Sequence, residues 1–314
     1  MNGKKVNWLF LLIIIAHFVF VALLSFTPLM EYIGWNIVIN LVSSQMIIWV
    51  PAVIFLIATK TNPLKFCRFR CVRPTTLLMT VLYTILCGPI TTLANAISML
   101  FVDNRVAAMS GEILQMPFWL MLLLMAVHGP FSEEFVFRGI VYQGYKRQGN
   151  SWKAMFLAAL LFAVMHMNIN QAMYAFIAGI VLILIMEATD SIWPAFLVHF
   201  CINGFSAVMM FGMSLMEDNM AELVEAASQS YTQNEVFMVI SLYLLLAVIC
   251  TPLAGCVLVW IAGNEGRQAT LKDLIDSRKI KKVRLITLPL IIALVGCFAY
   301  MIWEMLAAKG MFGA

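Results

Sequence analysis

Long apolar runs alternate with short polar segments along the whole chain. A helix that crosses a bilayer needs about 20 mostly apolar residues, and nine stretches reach or approach that length. The fifth and sixth are short, so we expect them to be tilted or shielded by their neighbours. The predicted spans are Trp8–Phe26, Ile37–Ala58, Thr76–Val102, Phe118–Tyr142, Ala154–Met167, Ala172–Glu187, Ile192–Phe211, Val236–Ile261 and Leu285–Ala307.

Composition supports a membrane protein. Hydrophobic residues make up 63% of the 314 residues and charged residues only 11%, whereas soluble domains are about half apolar and about a quarter charged. We therefore expect an all-α fold, a polytopic transmembrane helical bundle of about 8–9 spanning helices, forming a single integral membrane domain over residues 1–314. The first apolar run lacks a cleavage site, which favours a transmembrane helix over a removed signal peptide.

The charges predict an orientation. Basic residues are concentrated in the loop Thr59–Thr75, after the fourth span and in the loop at residues 262–284, whereas Gly212–Glu235 is acidic without lysine or arginine. The positive-inside rule then places the N-terminus and the basic loops in the cytoplasm. The loop at 262–284 is expected to solvate itself and contact anionic membrane lipid, or to form an amphipathic helix. The net charge of +4 is assigned to orientation, and no nucleic-acid partner is expected.

A few polar side chains lie inside the predicted spans, where each charge costs at least a few kcal/mol. Glu134 and Arg138 are four residues apart with the acid first, the favourable order for an ion pair on a helix. Glu133 points about 100° away from Glu134. The complete set is Glu133, Glu134 and Arg138 on the fourth span, His166 on the fifth, and His199 with Asn203 on the seventh.

Three of these groups are predicted to lie at one depth. At about 1.5 Å per residue, Glu133, His166 and His199 come roughly 10–18 Å below the basic surface. One carboxylate and two imidazoles suit a divalent zinc-like ion with an open position for water. Such an ion lowers the pKa of its water and polarises a scissile carbonyl, so the pattern favours peptide hydrolysis.

The remaining polar groups have supporting roles in that hypothesis. Glu134 is a candidate general base, and Asn203 can donate a hydrogen bond to a developing oxyanion. Arg138 would keep Glu134 ionised and oriented. Two other functions stay open: a non-proteolytic membrane scaffold or immunity protein, and a proton-coupled transporter. Transporters often carry repeated pairs of broken helices, which the sequence lacks.

Three short motifs carry a family resemblance. They are "EEFVFR" (Glu133 to Arg138), "FAVMH" (Phe162 to His166) and "HFCIN" (His199 to Asn203). In this order they resemble the CAAX prenyl protease and bacteriocin-processing family of intramembrane proteases, also called CPBP or Abi. The resemblance covers roughly residues 117–210, the predicted catalytic core. It implies a helical membrane core with a conical, water-accessible cavity and proteolysis within the bilayer.

The resemblance also implies roles and substrates. Glu133 and His166 would activate the water with support from Glu134, while His199 and Asn203 would stabilise the oxyanion, or His199 would bind metal. The family is described both as glutamate-type and as metal-dependent, and we favour a metal, zinc, bound by Glu133, His166 and His199. Substrates would be prenylated CAAX proteins or bacteriocin and signalling peptides. The absence of long soluble insertions favours the bacterial class, hence a bacterial cell membrane, and the sequence indicates no oligomeric state.

Overall fold

Helices form nearly all of the chain that is described. The computed structural model describes residues 3–28, 30–31, 36–216, 232–280 and 283–308, and within these ranges it contains no β-strand. The helices of the described chain are α1 Gly3–Phe26, α2 Ile37–Ala58, α3 Pro63–Phe66, α4 Pro74–Ser98, α5 Arg105–Ala108, α6 Ser110–Ile113, α7 Phe118–Lys146, α8 Ser151–Met165, α9 Ile169–Thr189, α10 Ile192–Met216, α11 Gln233–Asn264, α12 Gln268–Asp276 and α13 Leu288–Ala308.

Eight of these helices are long and apolar enough to cross a membrane. The prediction of a polytopic helical bundle with about 8–9 spans is confirmed. The fifth predicted span is α8, which has only 15 residues and at 1.5 Å per residue covers less than the hydrocarbon core. The sixth, α9, is longer than predicted, because Asn168 caps it early by accepting a hydrogen bond from the Gln171 amide.

The basic loops meet at one end of the bundle. The Asn150 side chain donates to the carbonyl of Ile280 at 2.7 Å, and the amide of Arg73 donates to Oε1 of Glu265 at 3.0 Å. We call this end, formed by residues 59–75, 146–153 and 262–280, the basic end. Its cytoplasmic location stays a prediction, and most of the acidic segment, residues 217–231, lies outside the described residues.

Residues 262–280 form a short helix that packs against the bundle. Within them α12 buries Leu274, and the buried Ser277 accepts a hydrogen bond from the Trp152 amide at 2.9 Å. The segment therefore packs against the start of α8 as an amphipathic helix, the second of the two predicted alternatives.

The first helix is tied to distant parts of the chain by a buried amide. The side chain of Asn7 donates to the Leu285 carbonyl at 2.7 Å and to the Thr287 hydroxyl at 2.8 Å. Its oxygen accepts from the Tyr145 hydroxyl at the end of α7. All three contacts satisfy an amide that would otherwise be costly to bury.

Helix α7 is irregular around Pro130. It has π-helical turns over Leu123–His128 and Glu134–Tyr142, on either side of an α-helical turn. Proline has no N–H and clashes with the preceding turn, and here Gly129 bonds to the Leu124 carbonyl five residues back. A Cβ on Gly129 would lie 3.3 Å from that oxygen, so glycine lets the wide turn close. Single π turns are frequent at functional sites.

Candidate active site

The predicted ion pair on α7 is present and completely buried. Nη1 of Arg138 lies 3.1 Å from Oε1 of Glu134, with both side chains about 1% exposed. The guanidinium carbon lies 4.0 Å from the centre of the Phe162 ring, a cation–π contact. Phe162, for which the sequence suggested no separate role, is thus the apolar support of the arginine.

His199 lies between the two glutamates. Its Nδ1 is 2.7 Å from Oε1 of Glu134, and its Nε2 is 3.7 Å from Oε2 of Glu133. Glu133 and Glu134 follow each other on α7 and therefore point in different directions, so they approach opposite nitrogens of one imidazole. The Glu134 contact fixes the orientation of the ring and leaves Nε2 facing Glu133.

Gln45 on α2 completes this group and was missed by the sequence analysis. Its Nε2 donates a hydrogen bond to Oε1 of Glu133 at 3.1 Å, which leaves Oε2 directed at His199. A single glutamine in an apolar span was the only signal that could have suggested it. Side chains from α2 and α10 thereby face the two oxygens of one carboxylate that α7 carries.

His166 is placed differently from the prediction. It follows the last residue of α8 rather than lying within a span, and its Nδ1 is 2.8 Å from the Phe162 carbonyl. Its ring stands edge-on to Phe162 at 5.0 Å, and the His199 ring does so at 5.9 Å. Both imidazoles thus contact one phenylalanine, while the structure pairs Glu133 with His199.

The three predicted metal ligands are not gathered into one set. Across the described ranges, no group of three or more histidine, cysteine, aspartate or glutamate side chains is arranged to hold a metal ion. The donor chemistry is suitable at Glu133 and His199, and the Glu134 contact to His199 resembles the carboxylate that orients metal-bound histidines. His166, held at the Phe162 carbonyl, leaves that set incomplete.

Asn203 joins α10 to the irregular part of α7. Asn203 lies one turn of α10 beyond His199. Its Nδ2 donates to the Met125 carbonyl at 3.0 Å. Met125 lies in the first π-helical segment, where the i to i+4 bonding pattern is interrupted and a carbonyl can accept a side-chain donor. One amide hydrogen of Asn203 is thereby engaged, and an amide has two.

A known protein family matches this same region. Residues 115–205 match the family model described as type II CAAX prenyl endopeptidase, Rce1-like. This segment is therefore similar to that family. It contains all six predicted site residues and corresponds to the predicted core at 117–210.

One curated relative also matches part of the chain. It is "Putative membrane peptidase YdiL" of Bacillus subtilis (strain 168), 23% identical over 90 residues. The aligned part is 29% of this chain and 37% of the relative's length, so the chain matches well under half of that protein. No solved structure matches the chain.

Proposed function

We propose that this protein is an intramembrane endopeptidase that cleaves a peptide or membrane-anchored protein with a water molecule activated by Glu133 and His199. The observation that carries the proposal is the position of His199, fixed by Glu134 at one nitrogen and facing Glu133 at the other. The Rce1-like match of the segment supports a peptidase over the scaffold and transporter alternatives.

The distance between the two facing atoms suits a water molecule. Oε2 of Glu133 and Nε2 of His199 are 3.7 Å apart. A water at about 2.8 Å from each, a normal hydrogen-bond length, closes a triangle with both. With Nδ1–H donated to Glu134, Nε2 is an acceptor, so the same water can donate to both groups and direct a lone pair at a substrate carbonyl.

The reaction then needs one proton carrier. Glu133 takes a proton as the water attacks the carbonyl carbon, and it returns that proton to the departing amine, as a general base and then a general acid. Gln45 and Glu134 are positioning residues, because they hold Glu133 and His199 without contacting the water. Asn203 and His166 are the candidates for stabilising the oxyanion, since each retains a polar atom that its backbone contact does not use.

A divalent metal, zinc by the chemistry of the donors, is a second element of the proposal. Glu133 and His199 would hold it, and His166, whose Nε2 is not used by the contact to the Phe162 carbonyl, would complete the set only after moving from its position in the structure. When bound, the ion would polarise the substrate carbonyl and acidify the water. The substrate class, prenylated protein or bacteriocin-type peptide, follows from the family resemblance alone.

The deciding experiment compares peptide termini in cells that carry wild type or Glu133→Gln at equal protein levels. The substitution keeps the shape of the side chain and the Gln45 contact but removes the base. A matched control is Glu304→Gln, a partly buried glutamate paired with Arg105 outside the site. We expect termini that vanish only in Glu133→Gln. Identical termini in all three strains would favour a non-proteolytic scaffold or immunity protein.

A further inference from the structure

A row of polar side chains leads from the site to the basic end. Glu134, Arg138, Tyr142 and Lys146 occur every fourth residue on α7 and share one face. Glu187 on α9 closes the row, with its two oxygens 2.5 and 2.7 Å from Nζ of Lys146. We call these five residues the polar stripe. All except Lys146, whose side chain is 25% exposed, are buried.

The stripe holds most of the buried polar atoms that lack a hydrogen-bond partner. Seven such side-chain atoms occur in the described ranges, and five are on the stripe: Oε2 of Glu134, Nε, Nη1 and Nη2 of Arg138, and the hydroxyl of Tyr142, which lies next to the Glu187 carboxylate. Arg138 has an ion pair with Glu134 but no hydrogen bond of normal geometry. Buried polar groups are otherwise almost always paired, with protein or with ordered water, so this concentration needs a ligand.

The chemistry of the unpaired atoms favours water as that ligand. Glu134 and Arg138 are in contact through Oε1 and Nη1, 3.1 Å apart, which leaves Oε2 and the other two guanidinium nitrogens to bind water with hydrogen bonds of about 2.8 Å. Buried waters make about three hydrogen bonds to groups that are otherwise unpaired. The stripe offers both hydrogen-bond donors and acceptors. It carries two acidic and two basic side chains, so it has no net charge that would favour binding of an ion over water.

We propose that a row of internal water molecules occupies the polar stripe and connects the site to the aqueous surface at Lys146. Each peptide bond that is cut consumes one water, whose oxygen and one hydrogen go to the new carboxyl group while the other hydrogen goes to the amine. The stripe would supply that water to a site whose Glu133 and His199 side chains are only 12% and 9% exposed. The supply role rests on the proposed function, whereas hydration of the stripe does not.

Hydration is tested by radiolytic footprinting of the wild-type protein in nanodiscs. Hydroxyl radicals formed from bound water oxidise the side chains next to it, and Tyr145 is a matched control for Tyr142. Both are fully buried, but the Tyr145 hydroxyl is already bonded to Asn7. We expect oxidation of Tyr142 to be several-fold faster than that of Tyr145. Equal protection of the two tyrosines would overturn the proposal.

The supply role is tested by Tyr142→Phe, which removes one polar group and keeps the ring. We expect a several-fold lower kcat, little change in KM and normal thermal stability. Tyr145→Phe, which breaks the bond to Asn7, should instead lower stability and leave kcat unchanged. Wild-type kcat in Tyr142→Phe would refute the supply role. If wild type cleaves nothing, the proposed function fails, while footprinting still decides whether the stripe is hydrated.

Discussion

Replacing Arg138 by methionine should destabilise the protein strongly, because it leaves the Glu134 carboxylate buried without its cation. Removing one partner of a buried ion pair typically costs about 3–5 kcal/mol, and both side chains are about 1% exposed, so solvent does not screen the pair. His199 still contacts Glu134, which favours the lower value of about 3 kcal/mol. A loss of 1 kcal/mol lowers the Tm of a protein of this size by about 2 °C, so Tm should fall by roughly 6 °C.

The assay is thermal unfolding in detergent, followed by tryptophan fluorescence and repeated for two further variants. The double variant Glu134→Gln with Arg138→Met removes both charges, and its Tm should lie above that of Arg138→Met alone. Lys279→Met, which breaks an exposed pair with Asp276, should not change Tm measurably. A wild-type Tm in Arg138→Met, or a double variant less stable than the single one, would refute this account of the pair.

Three further predictions concern packing, thiol reactivity and metal. In Gly139→Ala the new Cβ would lie 2.8 Å from Cβ of Cys67, so we expect thermal unfolding to show a stability lower by about 1–3 kcal/mol. The control Gly255→Ala, whose new Cβ has nothing within 4 Å, should lower stability far less. Equal losses of stability in the two variants would contradict the steric explanation. Burial raises the pKa of the Cys67 thiol to about 12, and the thiolate is the reactive form. Maleimide at pH 7 should therefore label the exposed Cys71 but not Cys67, which peptide mass spectrometry would detect. Equal labelling of the two cysteines would show that Cys67 is accessible. His199→Ala should purify with less zinc than wild type by elemental analysis, and equally low zinc in both would count against the metal.

The elements were largely predictable because the bilayer sets a minimum length for a helix. Seven of the nine predicted spans correspond closely to long helices, and the Glu134–Arg138 pair follows from local spacing alone. The start of α9 was predicted less accurately, because the N-cap at Asn168 and the apolar run mark different starting residues. The cap begins the helix earlier than the apolar run indicates. The polar character of residues 262–280 left a solvated loop and an amphipathic helix as alternatives, and only the structure shows that α12 packs through the buried Leu274.

The partners within the site could not be predicted, because they depend on how helices from distant parts of the chain are rotated. Gln45 reaches Glu133 from 88 residues away, and no local pattern marks that contact. The π-helical turns of α7 change the direction of every later side chain, and the sequence does not show where they occur. Counting residues placed His166 inside a span, whereas α8 ends at Met165.

The Asn7 contacts have a consequence for the order in which the protein assembles. Its carbonyl partner, Leu285, is 278 residues further along the chain. At a synthesis rate of about 5–20 residues per second, α1 waits roughly 15–55 s before that partner is made. During this interval an amide near the membrane surface must rely on lipid headgroups, water or the insertion machinery. Helix α1 thus reaches its final packing only after the chain has been made as far as Leu285.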